Sequence, residues 1–147
     1  MIRATITHPA ALSTLARAGH GSFILIADAH FAVATALGPN AVTVHAALAP
    51  GAPLVPDVAR LVAATMAIEE VTTMAVPAEE HAQVGLDALA AVRAFPTATP
   101  VPHSTATREE FFARCGSPDL ALCLVSGDRR RFANVLLRIG VTDPEPA

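Results

Sequence analysis

Two uninterrupted apolar runs constrain the fold of this 147-residue chain more than any other feature of its sequence. They are Phe23–Ala27 (FILIA) and Leu120–Val125 (LALCLV). Neither run alternates apolar with polar residues, so each is typical of a strand that is buried on both faces, as in a parallel sheet covered by helices. The two runs therefore predict an α/β domain built around a central sheet.

Helical patterns stand on both sides of each apolar run. Thr7 is a candidate N-cap for a helix that stops at Gly19, and Asp57 is a candidate N-cap for a second helix. A third helix is predicted from about residue 79 to 93, with acids at its start and a base at its end. Thr107 and Glu110 have the spacing of a capping box, which predicts a fourth, short helix.

Further strands are predicted between these helices, at residues 42–44, 71–76 and 134–139, whereas three prolines in 96–102 indicate an irregular connection. Strands that alternate with helices favour a largely parallel sheet. The sequence thus predicts a single three-layer α/β/α domain over residues 1–142, with a mixed, mostly parallel sheet and a short tail at 143–147.

Charge is scarce and unevenly placed. The formal net charge is −3, which argues against a nucleic-acid partner or an anionic membrane, since both select basic surfaces. Residues 29–56 contain no Asp, Glu, Lys or Arg, but Gly38-Pro39-Asn40 and Pro50-Gly51 interrupt them, so no membrane span of about 18 apolar residues is left. A cytoplasmic protein is expected.

The charge-free stretch suits a subunit interface, and the 32 alanines, which bury little area each, also favour burial through oligomerisation.

Two polar residues flank the first apolar run. His20 stands between Gly19 and Gly21, which permit the close approach of a ligand, and the alternative is a histidine that caps the preceding helix. Asp28 ends the run, where ligand-binding residues of open α/β sheets gather, and the alternative is a turn cap. If residues 23–27 are extended, they separate His20 from Asp28 by roughly 17–25 Å at ~3.3 Å per residue. One site with both residues then needs a sharp fold-back or a second subunit.

Two further places carry positive charge. Arg108 lies in the first turn of its helix, against the helix dipole, so a partner outside that helix is expected; the alternative is a solvated surface arginine. The triplet at 129–131 follows the second apolar run and is interpreted as a solvated or inter-subunit loop. His20, Asp28 and His30 do not have the spacing of a familiar zinc site, and no metal is predicted.

Four short motifs in their order resemble the D-ribose pyranase and L-fucose mutarotase family, and the resemblance covers residues 1–142. The motifs are LARAGHG at 15–21, DAHF at 28–31, REEF at 108–111 and RFANVLL at 131–137, followed by Gly140-Val141. The residues of these motifs resemble those of the fucose mutarotase branch more than those of the ribose branch. The family has tyrosine in most members where this chain has Phe132, and the fucose branch usually has proline where it has Ala32. The segment between Arg108 and Phe132 is also two residues longer.

The resemblance implies a cytoplasmic, cofactor-free isomerase that interconverts anomers or ring forms of a free monosaccharide, here L-fucose or a related sugar. It implies His20 as the acid/base catalyst, and substrate binding by Asp28, Arg108, Phe132, Ala133 and Asn134. It also implies homo-oligomeric rings, commonly decamers of two pentamers. An alternative is a non-catalytic sugar-binding or regulatory ring that has kept the pocket and lost turnover.

The residues support this chemistry independently of the resemblance. Anomer exchange opens a hemiacetal, so a base removes the proton of the anomeric hydroxyl while an acid protonates the ring oxygen. An imidazole can take and return a proton near neutral pH, which singles out His20. Asp28, Asn134 and Arg108 provide the mixture of acceptors and donors that a polyhydroxylated ring requires.

Overall fold

The two apolar runs form adjacent parallel strands at the centre of a six-stranded sheet in the computed structural model, which describes residues 5–78, 84–95 and 100–142. In chain order the elements are α1 (Pro9–Arg17), β1 (Phe23–Ala27), α2 (Val33–Ala36), β2 (Val42–His45), α3 (Val55–Ala63), β3 (Ile68–Met74), α4 (Leu86–Arg93), β4 (His103–Ala106), α5 (Arg108–Cys115), β5 (Leu120–Val125) and β6 (Val135–Ile139).

The strand order is β2-β5-β1-β6-β3-β4. The pairs β2–β5, β1–β5 and β3–β4 are parallel, and β6 is antiparallel to both β1 and β3. Five strands therefore point the same way. We call the side where these five strands end the carboxyl edge, and the side where they begin the amino edge. Because β6 runs backwards, its first residue lies at the carboxyl edge and its last at the amino edge.

Helices cover both faces of the sheet. Alternate side chains of β1 show the two layers: Ile24 and Ile26 pack in one buried cluster with α1, α3 and α4, whereas Leu25 and Ala27 pack in the other with α5. Phe111 of α5 is fully buried and anchors that second layer. Each large apolar side chain so buried stabilises the fold by about 1.5–3 kcal/mol. The predicted three-layer arrangement with a mixed, mostly parallel sheet is confirmed.

Several element ends differ from the prediction. The N-cap of α1 is His8 rather than Thr7, and α3 begins at Val55. Asp57 is the third residue of α3, where its carboxylate accepts from the Leu54 N–H. Asp57 therefore stabilises the start of this helix, as expected, but it does so from the third helical position and not from the N-cap.

The strand β4 was not expected, and β3 begins three residues before the predicted start at 71. The sequence of β4, HSTA, has no apolar run because this strand lies at the edge of the sheet. Of the helix predicted over 79–93, α4 spans 86–93, and residues 79–83 lie outside the described residues, as do 96–99 and the tail at 143–147.

The charge-free stretch at 29–56 begins at the carboxyl edge after β1, passes through α2 to the amino edge, where Gly38 and Asn40 bond the chain just before β5, and returns along the edge strand β2 to the loop before α3. Leu48 in that loop is 93 % exposed. Within the described ranges, no helix is long and apolar enough to cross a membrane.

Candidate active site

Asp28 and Asn134 form a reciprocal pair at the carboxyl edge. The Asp28 backbone N–H donates to Asn134 Oδ1 at 2.7 Å, and Asn134 Nδ2 donates to Asp28 Oδ2 at 2.7 Å. The other oxygen of Asp28 accepts from the His30 N–H at 2.9 Å, so Asp28 also closes a turn, as its alternative interpretation proposed. Burial raises the pKa of Asp28, and the hydrogen bonds from His30 and Asn134 oppose that rise. The pair is a rigid set of acceptors whose orientation is fixed before any ligand arrives.

Phe132 and Ala133 lead into β6 beside this pair. Ala133 is fully buried, whereas the Phe132 ring is half-buried and lies 5.6 Å from the Arg131 guanidinium. Phe132 has a φ of 63°, in the left-handed region that bulky residues rarely adopt. Such strain persists only where the surrounding structure imposes it, and it is common at functional sites.

Arg108 opens α5 at the same edge. Its guanidinium lies 4.5 Å above the ring of Phe112, which in turn stacks on Phe31 with ring centroids 4.9 Å apart. Phe112 is one turn along α5, so this contact lies within the helix, and the expected partner outside it stays a prediction. The stack nevertheless links Arg108 to the loop of Asp28, since Phe31 is three residues farther along the chain.

His20 lies at the amino edge, away from the other candidates. The five-residue strand β1 separates it from Asp28 by about 17 Å. It does not cap α1, because the Ala18 N–H bonds the last carbonyls of that helix. Its Nε2 lies 2.8 Å from Glu69 Oε2, and the other oxygen of Glu69 lies 3.0 Å from Arg138 Nε. The structure thus brings Asp28, Arg108, Phe132, Ala133 and Asn134 to one edge and His20 to the other.

The arginine triplet is not simply a solvated loop. Arg130 Nε and Nη2 bind the two oxygens of Asp128 at 3.0 Å and 2.6 Å, and Nη1 binds Asp87 Oδ2 of α4 at 2.6 Å. Asp128 is fully buried and also accepts from the Val55 N–H at the start of α3. Burial would raise the pKa of Asp128, but the hydrogen bonds from Arg130 and Val55 outweigh it and lower the pKa.

Sequence reasoning missed Glu69 and Asp128. Asp128 carried a usable signal, since an acid that follows a buried strand directly before arginines is well placed to pair with them. Glu69 carried none, because it is one of two adjacent acids and only the fold shows which of them faces His20.

Two open clefts adjoin the Asp28 loop. One, of about 450 Å³, is lined by Phe31, His45 and Ser126, and the other, of about 460 Å³, by His30, Leu48 and Arg129. Both are large enough for a monosaccharide. Over 5–78, 84–95 and 100–142, no group of three or more His, Cys, Asp or Glu side chains could hold a metal ion.

Known proteins match this chain over nearly its whole length. The model of the RbsD / FucU transport protein family matches residues 1–142. D-ribose pyranase of Paracidovorax citrulli (strain AAC00-1) is 31 % identical over 142 residues, which cover 97 % of this chain and 99 % of that protein.

Solved structures share the fold. Bacillus subtilis RbsD complexed with D-ribose matches with a TM-score of 0.80 and 23 % identity, covering 97 % of this chain and 100 % of that one. The fucose mutarotase of Streptococcus pneumoniae in complex with L-fucose matches with a TM-score of 0.77 and 20 % identity, again over 97 % and 100 %.

Proposed function

The chain belongs to the RbsD / FucU family, and on that basis we propose that it accelerates the exchange of the anomers of a free monosaccharide. As a member of this family it is an isomerase that acts on carbohydrates. The observation that carries the proposal is the 31 % identity to a D-ribose pyranase over 97 % of the chain. We infer a cytoplasmic location from the same kinship.

His20 is the acid/base group of the proposed reaction. Its imidazole takes the proton of the anomeric hydroxyl, the bond from the anomeric carbon to the ring oxygen breaks, and that oxygen receives a proton. The open aldehyde rotates, and the same steps in reverse close the ring on its other face. Positioned acid/base help contributes roughly 10²–10⁴-fold, which is enough for a reaction that already proceeds slowly in water. No cofactor takes part in this sequence of steps.

Asp28 and Asn134 are the proposed acceptors for sugar hydroxyls, and Arg108 a donor to them. The Phe132 ring is an apolar wall beside them, and Ala133 brings the backbone close to the ring. An apolar wall suits a sugar carbon that carries a methyl group or a hydrogen, which supports L-fucose or a related deoxy or pentose sugar as substrate.

Two copies of the chain complete one site in this proposal, because His20 and Asp28 lie at opposite edges of one sheet. The amino edge of one copy, with His20, meets the carboxyl edge of the next, with Asp28. Head-to-tail contacts of this kind form a ring when the rotation between neighbours closes on itself, and we propose pentameric rings that pair as a decamer. The charge-free loops at 29–32 and 46–54 and the exposed Leu48 support an interface at the carboxyl edge.

Saturation-transfer NMR with a panel of free sugars tests the function. Faster exchange between the anomers of L-fucose, D-ribose or another sugar in the presence of the protein is the expected result. Binding of a sugar without faster exchange would support the alternative, a non-catalytic sugar-binding or regulatory ring. The phenylalanine at 132, which lacks a phenol hydroxyl, is the observation that favours this alternative.

A further inference from the structure

Glu69 is held against His20 by an irregularity in the sheet. In the β3–β6 ladder Ile68 pairs with Ile139 and Glu70 with Arg138, so two steps along β3 match one step along β6. Glu69 is the extra residue of this bulge. Bulges re-aim a side chain that a regular strand would direct elsewhere, and they are common beside active sites. Here the bulge directs the carboxylate of Glu69 to His20.

Two residues at the end of β6 and just after it hold Glu69 in that position. Gly140 packs against it so closely that an added Cβ would lie 3.0 Å from the Glu69 Cβ and 3.3 Å from its backbone nitrogen. Arg138 supplies the second contact, an ion pair of 3.0 Å between Nε and Glu69 Oε1. Oε2 is then the oxygen that faces His20.

The backbone fixes His20 from its own side. The Gly21 N–H donates to the Ile139 carbonyl at 2.8 Å, and Gly21 has a φ of 82°, which favours glycine. The turn that carries His20 is therefore attached to β6 next to the bulge, and the 2.8 Å contact joins two anchored groups.

The contact identifies which ring nitrogen carries the proton. A carboxylate can only accept, so Nε2 of His20 must donate to Glu69 Oε2. A neutral imidazole then has its lone pair on Nδ1. Within the described residues, Nδ1 has no hydrogen-bond partner, and the His20 side chain is 55 % exposed.

We propose that Glu69 is a positioning residue that fixes the orientation and tautomer of His20, so that Nδ1 is the nitrogen that exchanges the proton with the sugar. This inference rests on the proposed function. When Nδ1 takes the proton of the anomeric hydroxyl, the imidazolium keeps Nε2–H on Glu69, which balances its charge. Nδ1 then gives a proton to the ring oxygen, and His20 and Glu69 return to their initial state.

Glu69→Gln is the informative variant because it keeps the shape of the side chain and replaces one acceptor oxygen with an NH₂ donor. The positive guanidinium of Arg138 favours the amide oxygen over the NH₂ group at the position of Oε1, which leaves the amide NH₂ to donate to Nε2 of His20. The proton must then sit on Nδ1, the nitrogen that has to accept. We expect kcat of anomer exchange to fall at least about tenfold, with KM for the sugar within about twofold, because Glu69 orients His20 without touching the sugar.

The experiment combines exchange kinetics with ¹⁵N spectra of the His20 ring. The protonated nitrogen is expected to be Nε2 in the wild type and Nδ1 in Glu69→Gln, whereas Glu69→Ala gives a mixture of both forms. Glu70→Gln is the matched control: this neighbouring acid of β3 accepts from Ser104 Oγ at 2.6 Å and lies 3.9 Å from Arg114, so it should change neither the kinetics nor the tautomer.

An unchanged tautomer or an unchanged kcat in Glu69→Gln, with the wild type active, overturns the inference and leaves the proposed function intact. A wild type that accelerates no sugar, but whose His20 proton moves as expected in Glu69→Gln, contradicts the proposed function and supports the orientation of His20 by Glu69. If Glu69→Ala does not fold, the isosteric Glu69→Gln carries the test alone.

Discussion

At the scale of single residues, the proposed chemistry depends on a few side chains whose surroundings differ sharply. Asp28 and Asn134 are buried and mutually bonded, whereas His20 is exposed on a turn between two glycines. The sequence could indicate these residues because glycines around a histidine and an acid after an apolar strand are unusual. It could not indicate Glu69, because a bulge selects it over Glu70 and depends on pairing with a strand some 70 residues later.

His20→Ala tests the catalytic role at this scale. We expect the accelerated exchange to fall by about 10²–10⁴-fold, the usual contribution of a positioned acid/base group. The side chain is more than half exposed, so the free energy of unfolding should change by less than about 0.5 kcal/mol. Saturation-transfer NMR measures the exchange rate, and a urea melt measures the free energy of unfolding. Retention of more than about a tenth of wild-type exchange would assign the proton transfer to another group.

Phe132→Tyr tests whether this ring faces the sugar. Both residues have the same backbone demands at a φ of 63°, so the variant isolates one hydroxyl. A neutral hydrogen bond contributes about 0.5–1.5 kcal/mol, or roughly threefold to twelvefold in rate if it forms only in the transition state. We expect the ranking of sugars to change by a few-fold in favour of those with a hydroxyl at the contacted carbon. Equal effects on all sugars, or none, would place Phe132 away from the substrate.

At the scale of elements, the loop between β5 and β6 holds two helices in place. The buried Asp128 accepts from the first residue of α3 and from Arg130, which also binds Asp87 of α4. The alternation of strands and helices along most of the chain was readable from apolar runs and caps, because those patterns are local, whereas the order of the strands in the sheet was not. The edge strand β4 and the early start of β3 were not, since the partner strands determine both.

Asp128→Asn tests this connection through stability and its pH dependence. Loss of the charged hydrogen bonds should lower the free energy of unfolding by about 1.5–3 kcal/mol near neutral pH. The folded-state pKa of Asp128 is lowered from its usual 3.8, so its contribution is complete above that pH. It is lost as the pH falls through the lower folded-state value, and the two proteins should converge there.

Urea unfolding from pH 7 down to the acid limit provides the measurement. Asp57→Asn is the control: that aspartate is half exposed, its ion pair with Arg60 spans 3.6 Å, and the asparagine oxygen can still accept from the Leu54 N–H, so the change should cost less than about 1 kcal/mol. A constant difference between wild type and Asp128→Asn at every pH would contradict the assignment.

At the scale of the whole molecule, the proposed site depends on how two copies of the chain pack against each other. One sheet cannot bring its own two edges together, so the predicted separation of His20 and Asp28 makes a shared site the consistent arrangement. Apolar surface without charge at 29–56 indicates where a neighbour would pack, but the number of copies in a ring depends on contact angles that a single chain does not encode locally.

Mixing two inactive variants tests the shared site most directly. His20→Ala and Asp28→Ala each remove one half of every site, so each should be inactive alone. When the two are unfolded together and reassembled in equal amounts, about a quarter of the head-to-tail interfaces will combine an intact His20 with an intact Asp28. Saturation-transfer NMR should then show about a quarter of the wild-type exchange rate per site. Mixtures that stay as inactive as the separate variants, while light scattering shows mixed oligomers, would contradict a site built from two copies.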